Sequence, residues 1–412
     1  MDKPAAAPAP LSAAFSTGGA GASATDARPT HRYDAPAAPP TPRYPRAVRY
    51  WLLAGLALIF VQVVVGGITR LTGSGLSITK WEIVTGTLPP LSEAQWLEEF
   101  ALYRATPQYE KMNAGMPLED FKFIYFWEYF HRLWARMMGL AFVVPLGYFL
   151  ARGYIDRALG KRLGLVFAAA ALTASFGWIM VASGLIDRPL VNAYKLSMHL
   201  AVAFATFGIL LWTTFFAFDR GREPALSEVD RAKPSSGFRS LIYWTAGVLA
   251  FQILLGGMMS GMRAALFYPT WPDLNGEAVP AVLFDAANWT WANVVDYDAH
   301  PFMAALVQVL HRTTAYVVTA LVAALAWVGL RADGPGAVSP RWRTALRLIV
   351  GLTAVQVALG IATVVLSVGE IPVLWGVLHQ AGALLLMAAM MWGVWLALGA
   401  PGVGRRAVSI AG

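Results

Sequence analysis

Eight apolar runs, each long enough to cross a bilayer, make up most of this 412-residue chain. A helix needs about 20 residues to span ~30 Å of hydrocarbon. Hydrophobic residues are 57% of the chain and charged residues 14%, so no soluble domain of useful size is left between the runs. The runs lie near residues 50–69, 123–150, 163–183, 191–217, 240–262, 303–330, 345–367 and 373–399. The sequence therefore predicts an all-α integral membrane protein with eight transmembrane helices.

Basic residues predict how these spans are oriented. Arg43, Arg46 and Arg49 precede the first span, and basic residues concentrate on the cytoplasmic side of membrane proteins. Further basic clusters follow spans two, four and six, whereas loops 71–122 and 263–302 carry more acidic than basic residues. We therefore predict that both termini are cytoplasmic and that these two loops face outward.

Composition excludes several functional classes. The net charge of +8 belongs to loops beside anionic lipid, so no nucleic-acid partner is expected. The chain has no cysteine, which rules out disulfides, thiolate-bound iron–sulfur clusters and covalently attached c-type heme. Three segments are predicted to lie outside the bundles: a disordered tail without a signal peptide, a cytoplasmic linker and a cytoplasmic tail, at residues 1–45, 221–238 and 401–412.

Four histidines inside the spans form two pairs with the same spacing. His131 and His199 are 68 residues apart, as are His311 and His379, and the second pair follows the first by 180 residues. The four lie in spans two, four, six and eight, which all enter from the predicted outer face. Each is roughly 8–11 residues inside its span. We therefore expect all four at a similar depth in the outer half of the membrane.

Short motifs recur between the two halves of the chain. Spans one, five and seven carry the related segments Gln62-x-x-x-Gly66-Gly67, Gln252-x-x-x-Gly256-Gly257 and Gln356-x-x-x-Gly360. Because each half has four spans, both copies enter and leave on the same side, which is a parallel internal repeat. The predicted fold is two pseudo-symmetric four-helix bundles, residues 46–220 with loop 71–122 and residues 239–400 with loop 263–302. The glycines would let helices, or a flat macrocycle, approach closely.

Histidines on two helices of one bundle can hold a porphyrin iron from both faces. A zinc ion is an alternative occupant of the histidine pairs, but zinc is usually bound by three or four protein ligands at one point. A second alternative is that the histidines only hydrogen-bond between helices. Two sites of two histidines suit heme better, and without cysteine the heme would be held noncovalently. No role is assigned to His31 or His300.

The halves differ three residues before the first histidine of each pair, where Glu128 corresponds to Gln308. Residues at i and i+3 share a helical face, so only the first half is predicted to present a carboxylate to its heme. An ionisable residue within a membrane span is a functional candidate. The alternative is a structural ion pair between Glu128 and Arg132. Arg132 and Arg312 are candidate partners of heme propionates, and Arg136 is a weaker one.

In these motifs the chain resembles the heme A synthase family, in particular its proteobacterial and mitochondrial-type branch. The resemblance covers nearly everything after the tail. The segments that carry it are Arg70-Leu-Thr-Gly-Ser-Gly-Leu-Ser-Ile-Thr79, Gly115-Met-Pro-Leu-Glu-Asp-Phe-Lys-Phe-Ile-Tyr125, Trp127-Glu-Tyr-Phe-His-Arg132, Gly177-Trp-Ile-Met-Val-Ala-Ser-Gly-Leu185, Thr270-Trp-Pro272 and His311-Arg312.

This resemblance implies a heme-dependent oxidoreductase of the bacterial inner membrane. The implied reaction oxidises a methyl group of heme O to a formyl group through hydroxylated intermediates, giving heme A for terminal oxidases. His311 and His379 would ligate a heme b cofactor, His131 and His199 would hold the iron of the substrate heme O, and Glu128 would act at the methyl group. Expected partners besides the bilayer are the heme O-forming farnesyltransferase and further copies of the chain.

Three features depart from the family pattern. Ala135 stands where glycine is more common, Ala174-Ser175-Phe176 replaces a stretch that often contains glutamine, and the loop cysteines of some relatives are absent. The last departure leaves no thiol pair for the mechanism. The competing functions are a diheme cytochrome b that only transfers electrons and a heme carrier without chemistry, which would leave Glu128 unexplained.

Overall fold

The structure is a computed structural model that describes residues 43–80, 85–185, 189–220, 234–331 and 339–399. Most of the predicted tail 1–45, most of the predicted linker 221–238 and all of the predicted tail 401–412 lie outside the described residues. The regular secondary structure of the described part consists of helices.

Eight helices of the described part are long and apolar enough to cross a membrane, which confirms the predicted fold class. We number them α1 to α8 in chain order. Their bounds are Arg46–Leu71, Leu118–Ala151, Arg157–Gly184, Ala193–Asp219, Ser236–Gly261, Phe302–Arg331, Pro340–Val365 and Val373–Leu398. Short helices Glu93–Arg104 and Pro107–Met112 lie in the α1–α2 loop, and Trp291–Val295 lies in the α5–α6 loop.

Five of these helices, α1, α2, α3, α5 and α7, begin four to six residues before the apolar runs that predicted them. The added turns contain charged residues, such as Glu119 and Asp120 at the start of α2. A helix can extend past the hydrocarbon, where water or lipid headgroups solvate such side chains, so hydropathy alone places its start too late.

The helices α1, α4, α5 and α8 form the centre of the molecule, since each packs against at least two of the others. The remaining four lie around them: α2 packs on α1, α3 on α4, α6 on α5 and α7 on α8. This arrangement is compatible with two bundles that meet along the four central helices. The internal repeat and the bundle boundaries stay predictions.

Glycines bring the central helices together. A β-carbon added at Gly261 of α5 would lie 2.6 Å from the Cα of Ala193 on α4, and one added at Gly257 would lie 2.9 Å from the Cα of Ser197. The Ser197 hydroxyl donates to the Leu254 carbonyl across the same contact at 2.8 Å. Close backbone approach of this kind is how helices associate in lipid, where no hydrophobic force drives them together.

A helix in the α1–α2 loop covers the start of α2. Ser92 caps this helix, Glu93–Arg104, with a complete capping box. On one side of the helix, Tyr103 stacks on Phe121 with ring centres 5.2 Å apart, and Trp96 meets Tyr125 edge-on at 5.0 Å. The loop is therefore fixed to α2 by aromatic packing three turns or less before His131.

The α4–α5 contact can be tested with Gly261→Val. The added side chain meets the Ala193 backbone, which cannot rotate away, so the two helices must separate at a cost of about 1–3 kcal/mol. We expect a lower thermal unfolding temperature of the purified protein in detergent. Gly247→Val on the same helix is the matched control, because a β-carbon there meets nothing within 4 Å. Equal melting temperatures for the two variants would contradict this role of Gly261.

Candidate functional site

The four histidines predicted from the sequence lie on α2, α4, α6 and α8. His311 of α6 and His379 of α8 lie close together, with ring centres 6.5 Å apart and ring planes at 72°. His131 of α2 and His199 of α4 each lie against a glycine of a neighbouring helix, Gly66 of α1 and Gly177 of α3. The structure therefore brings the two rings of the second predicted pair together. The pairing of His131 with His199 stays a prediction of the repeated spacing.

Each histidine ring lies against a glycine of a neighbouring helix. A β-carbon added at these glycines would come within 2.9–3.4 Å of the imidazole Cε1 atom. The pairs are Gly66 with His131, Gly177 with His199, Gly256 with His311, and Gly360 with His379. At Gly66 and Gly360, where the distance is 2.9 Å, a larger residue would displace the ring. The distances at Gly177, 3.1 Å, and Gly256, 3.4 Å, leave progressively more room.

One helical turn before three of these glycines, a glutamine amide reaches the same histidine. The amide nitrogen of Gln62 lies 3.1 Å from Nδ1 of His131, and that of Gln252 lies 3.2 Å from Nε2 of His311. The Gln356 amide donates to the backbone carbonyl of His379 at 2.8 Å. A polar group in the membrane interior needs such a partner, and the amide also restricts the rotation of the ring or of its backbone.

The fourth histidine has a different partner, which the sequence analysis missed. Nδ1 of His199 lies 3.1 Å from the backbone carbonyl of Thr173, one turn before Gly177. Thr173-x-x-x-Gly177 has the spacing of the three Gln-x-x-x-Gly segments, and that spacing was the signal that could have identified it. Since the residue is not glutamine, His199 is oriented through a main-chain atom.

The geometry of His311 and His379 fits ligation of one metal ion by two imidazoles. Metal–nitrogen bonds of about 2 Å place the centres of two opposed imidazole rings about 6 Å apart, which agrees with the observed 6.5 Å. The Nδ1 atoms of both rings are buried and have no hydrogen-bond partner among the described residues. A buried nitrogen left unbonded is costly unless a ligand completes it, so this donor pair suits a heme iron.

Glu128 is buried on α2, with 2% of its surface exposed, and both of its carboxylate oxygens are bonded. Oε2 accepts hydrogen bonds from the Ser77 hydroxyl and the Ile78 N–H, each at 2.8 Å. Oε1 forms an ion pair with Arg132. The ion pair that the sequence offered as an alternative is therefore present, and the carboxylate also holds the beginning of the α1–α2 loop.

Arg132 and Arg312 bind main-chain carbonyls of the loops before their helices. Arg132 donates to the Ile78 carbonyl at 3.0 Å and the Lys80 carbonyl at 2.9 Å. Arg312 donates to the Tyr268 carbonyl at 3.1 Å and the Thr270 carbonyl at 2.8 Å, positions exactly 190 residues later. Both arginines thus fasten an inter-helix loop next to a histidine, and Arg136 lines a cavity of about 350 Å³ beside Arg132.

Gln308 replaces the carboxylate in the second half. It is fully buried and its amide donates to the Tyr268 carbonyl at 2.7 Å. In the loop that Arg312 holds, a hydrogen bond from the Thr270 hydroxyl, one from the Gly276 N–H and the charge of Arg312 lower the pKa of Asp273. The two sites therefore share the arginine and the loop contact, and they differ in whether an acid or an amide precedes the histidine.

The glycine contacts predict the effect of Gly360→Val. The new side chain would occupy the position of the His379 ring, so we expect loss of most of the heme that copurifies with the protein, read from the reduced-minus-oxidised absorbance. Gly351→Val on the same helix is the control, because a β-carbon there meets nothing within 4 Å. Full heme content in the Gly360 variant would exclude His379 as a ligand.

Comparison with known proteins agrees with this geometry. The family model COX15-CtaA, cytochrome oxidase assembly protein, matches residues 49–391. The chain is 41% identical over 350 residues to the heme A synthase of Nitrosospira multiformis, covering 84% of this chain and 92% of that protein. It is 40% identical over 353 residues to the heme A synthase of Rhodospirillum centenum, covering 84% and 87%, and 42% identical over 351 residues to that of a Bradyrhizobium species, covering 85% and 90%. With eight spanning helices and a match over most of its length, the chain belongs to the COX15-CtaA family of cytochrome oxidase assembly proteins.

Proposed function

We propose that the protein is a heme A synthase, a multi-pass inner-membrane oxidoreductase that converts heme O to heme A. The reaction oxidises one methyl group of the porphyrin to a formyl group through hydroxylated intermediates. The observation that carries the proposal is the pairing of four membrane histidines across two sites, of which one has a buried carboxylate, Glu128, and the other an amide, Gln308. The curated relatives support the same activity.

The cofactor assigned to the second half is heme b, held by His311 and His379. Their opposed rings and unbonded Nδ1 atoms are the contacts that support this assignment. Bound there, the heme supplies electron transfer. Gln252 and Gly256 contact His311, while Gln356 and Gly360 contact His379, so neighbouring helices hold both proposed ligands in position.

The substrate site is assigned to His131 and His199 in the first half. Two axial imidazoles fix the position of the macrocycle, which an enzyme must do to select one of several similar ring methyls. Gly66 and Gly177 set the rings against α1 and α3. The residues that orient the substrate therefore come from all four helices of this half.

Glu128 is proposed to act at the reacting methyl. Oxidation withdraws electrons from that carbon and releases a proton, and a carboxylate in a site of low dielectric constant can stabilise the developing positive charge or accept the proton. Glu128 precedes His131 by three residues on α2 and is held by Ser77, Ile78 and Arg132. These bonds fix the carboxylate at one place relative to the histidine.

Arg132 and Arg312 are proposed to contact heme propionates in addition to their loops. Within the described residues Arg312 hydrogen-bonds only carbonyl oxygens, and its Nε is buried without a partner. A propionate would neutralise this charge and accept the remaining donor. Cytoplasmic termini, association with the farnesyltransferase that makes heme O, and assembly into a homo-oligomer remain predictions of the sequence.

The activity can be tested by pigment extraction. We expect membranes of a strain that lacks its own heme A synthase to accumulate heme O, and expression of this chain to replace it with heme A. The measurement is chromatography of the extracted hemes. A diheme cytochrome b or a heme carrier would leave the heme O content unchanged, and that result would rule out the synthase.

The role of Glu128 is tested by Glu128→Gln. The amide keeps the size of the side chain and removes its charge, so we expect heme b to remain bound while heme A production falls by at least about 100-fold, the usual contribution of a general base. Ser77→Ala is the control, since it removes one hydrogen bond to the carboxylate but leaves the acid. Normal heme A yield in the Gln variant would disprove the assignment, and equal losses in both variants would assign Glu128 to holding the loop.

A further inference from the structure

The two halves differ in how their peripheral helices meet. In the second half α6 packs along α7, whereas α2 and α3, the corresponding helices of the first half, have almost no contact with each other. The other neighbouring pairs, α1 with α2 and α3 with α4, pack as closely as their counterparts α5 with α6 and α7 with α8. The first half is therefore open on one side, toward the lipid, between α2 and α3.

One residue difference between the halves accompanies this opening. A β-carbon added at Gly329 of α6 would lie 2.4 Å from Cδ1 of Leu346, so the glycine lets α7 approach α6 closely. The residue 180 positions earlier is Phe149 on α2, which is buried against Trp51 of α1 with ring centres 5.4 Å apart. The close approach that Gly329 permits between α6 and α7 therefore has no counterpart at this position of α2.

Side-chain exposure shows where the opening lies on α3. The spacing of Thr173 and Gly177 matches that of Gln356 and Gly360 on α7, so each residue of α3 corresponds to the one 183 positions later. Ala170 is exposed where Thr353 is 5% exposed, and Trp178 is 49% exposed where Ile361 is half-buried. These two residues of α3 are thus more exposed than their counterparts on α7, the helix that packs against α6.

The opening leads to the histidines of the first half. Trp178 follows Gly177, which touches His199. On the other side, Ala135 lies one turn after His131 on α2 and is exposed, whereas its counterpart Ala315 is half-buried. Both edges of the gap are therefore within about one helical turn of a residue that positions a substrate histidine.

We infer that the substrate porphyrin enters its site sideways from the bilayer, between α2 and α3, while the packed helices α6 and α7 keep the second heme from exchanging by the equivalent route. This inference rests on the proposed function. Heme O carries a long isoprenoid chain and partitions into lipid, so a lateral route avoids moving that chain through water. An enzyme must exchange substrate and product at every turnover but retain its cofactor, and the difference between the halves supplies both properties.

The absence of native cysteines permits a direct test. Ala135→Cys and Trp178→Cys together place one thiol on each edge of the gap, and a bifunctional maleimide with a cleavable spacer ties α2 to α3. The linked protein is reconstituted into vesicles that contain heme O. Two readouts are followed, heme O uptake by absorbance and heme A by pigment extraction, with heme b content measured in each sample.

Linking before heme O is added should slow uptake and conversion by at least about tenfold, as expected for a blocked gate. Linking after loading should still permit one turnover, and cleaving the spacer should restore repeated turnover. Uptake at the unlinked rate would overturn the lateral route. Loss of the single turnover in preloaded protein would also overturn it, because the link would then be acting on the chemistry.

The matched control is the corresponding pair on the second half, Ala315→Cys with Ile361→Cys. Linking two helices that already pack together should leave uptake, conversion and heme b content unchanged. Failure of the proposed function has a different signature: the unlinked wild-type protein would form no heme A. In that case the uptake measurement still decides whether porphyrin passes between α2 and α3.

Discussion

Placing an imidazole in hydrocarbon requires a bonding partner, and this requirement organises the interior of the protein. Each of the four histidines is contacted in the same way, by a polar group and a glycine one helical turn apart on the neighbouring helix. The polar group bonds the ring or the histidine backbone, and the glycine makes room for the ring. Helix pairing and ligand placement are consequently set by the same contacts.

The loops predicted to face outward depend on a second shared interaction. Arg132 and Arg312 each donate hydrogen bonds to main-chain carbonyls of the loop that precedes their own helix. Each loop is therefore held by the arginine that directly follows a site histidine in the sequence. The two halves share this arginine–loop interaction but differ at two residue positions. Glu128 replaces an amide beside one histidine pair, and Phe149 replaces the glycine that closes the other bundle. Together these differences fit a reactive, exchangeable site in one half and a retained cofactor in the other.

Much of the helical fold and of the candidate site could be predicted from the sequence, because the relevant patterns are local. Hydropathy located all eight spanning helices, and Glu128 and Arg132 were recognised as a potential ion pair from their i, i+4 spacing. The errors were also local. Polar first turns hid the true helix starts, and Thr173 was overlooked because it bonds His199 through its carbonyl, which every residue type has.

The sequence by itself determined the membrane fold, the spacing of the histidine pairs and the acid-for-amide exchange, since periodicity and residue chemistry are written along one helix at a time. Only the tertiary structure decided that the second pair of rings stands 6.5 Å apart, that Glu128 holds a loop as well as an arginine, and that α2 stays away from α3. Those features depend on which side chains from distant parts of the chain fill the same space. Packing between helices is a property of surfaces in contact, and no single helix encodes it.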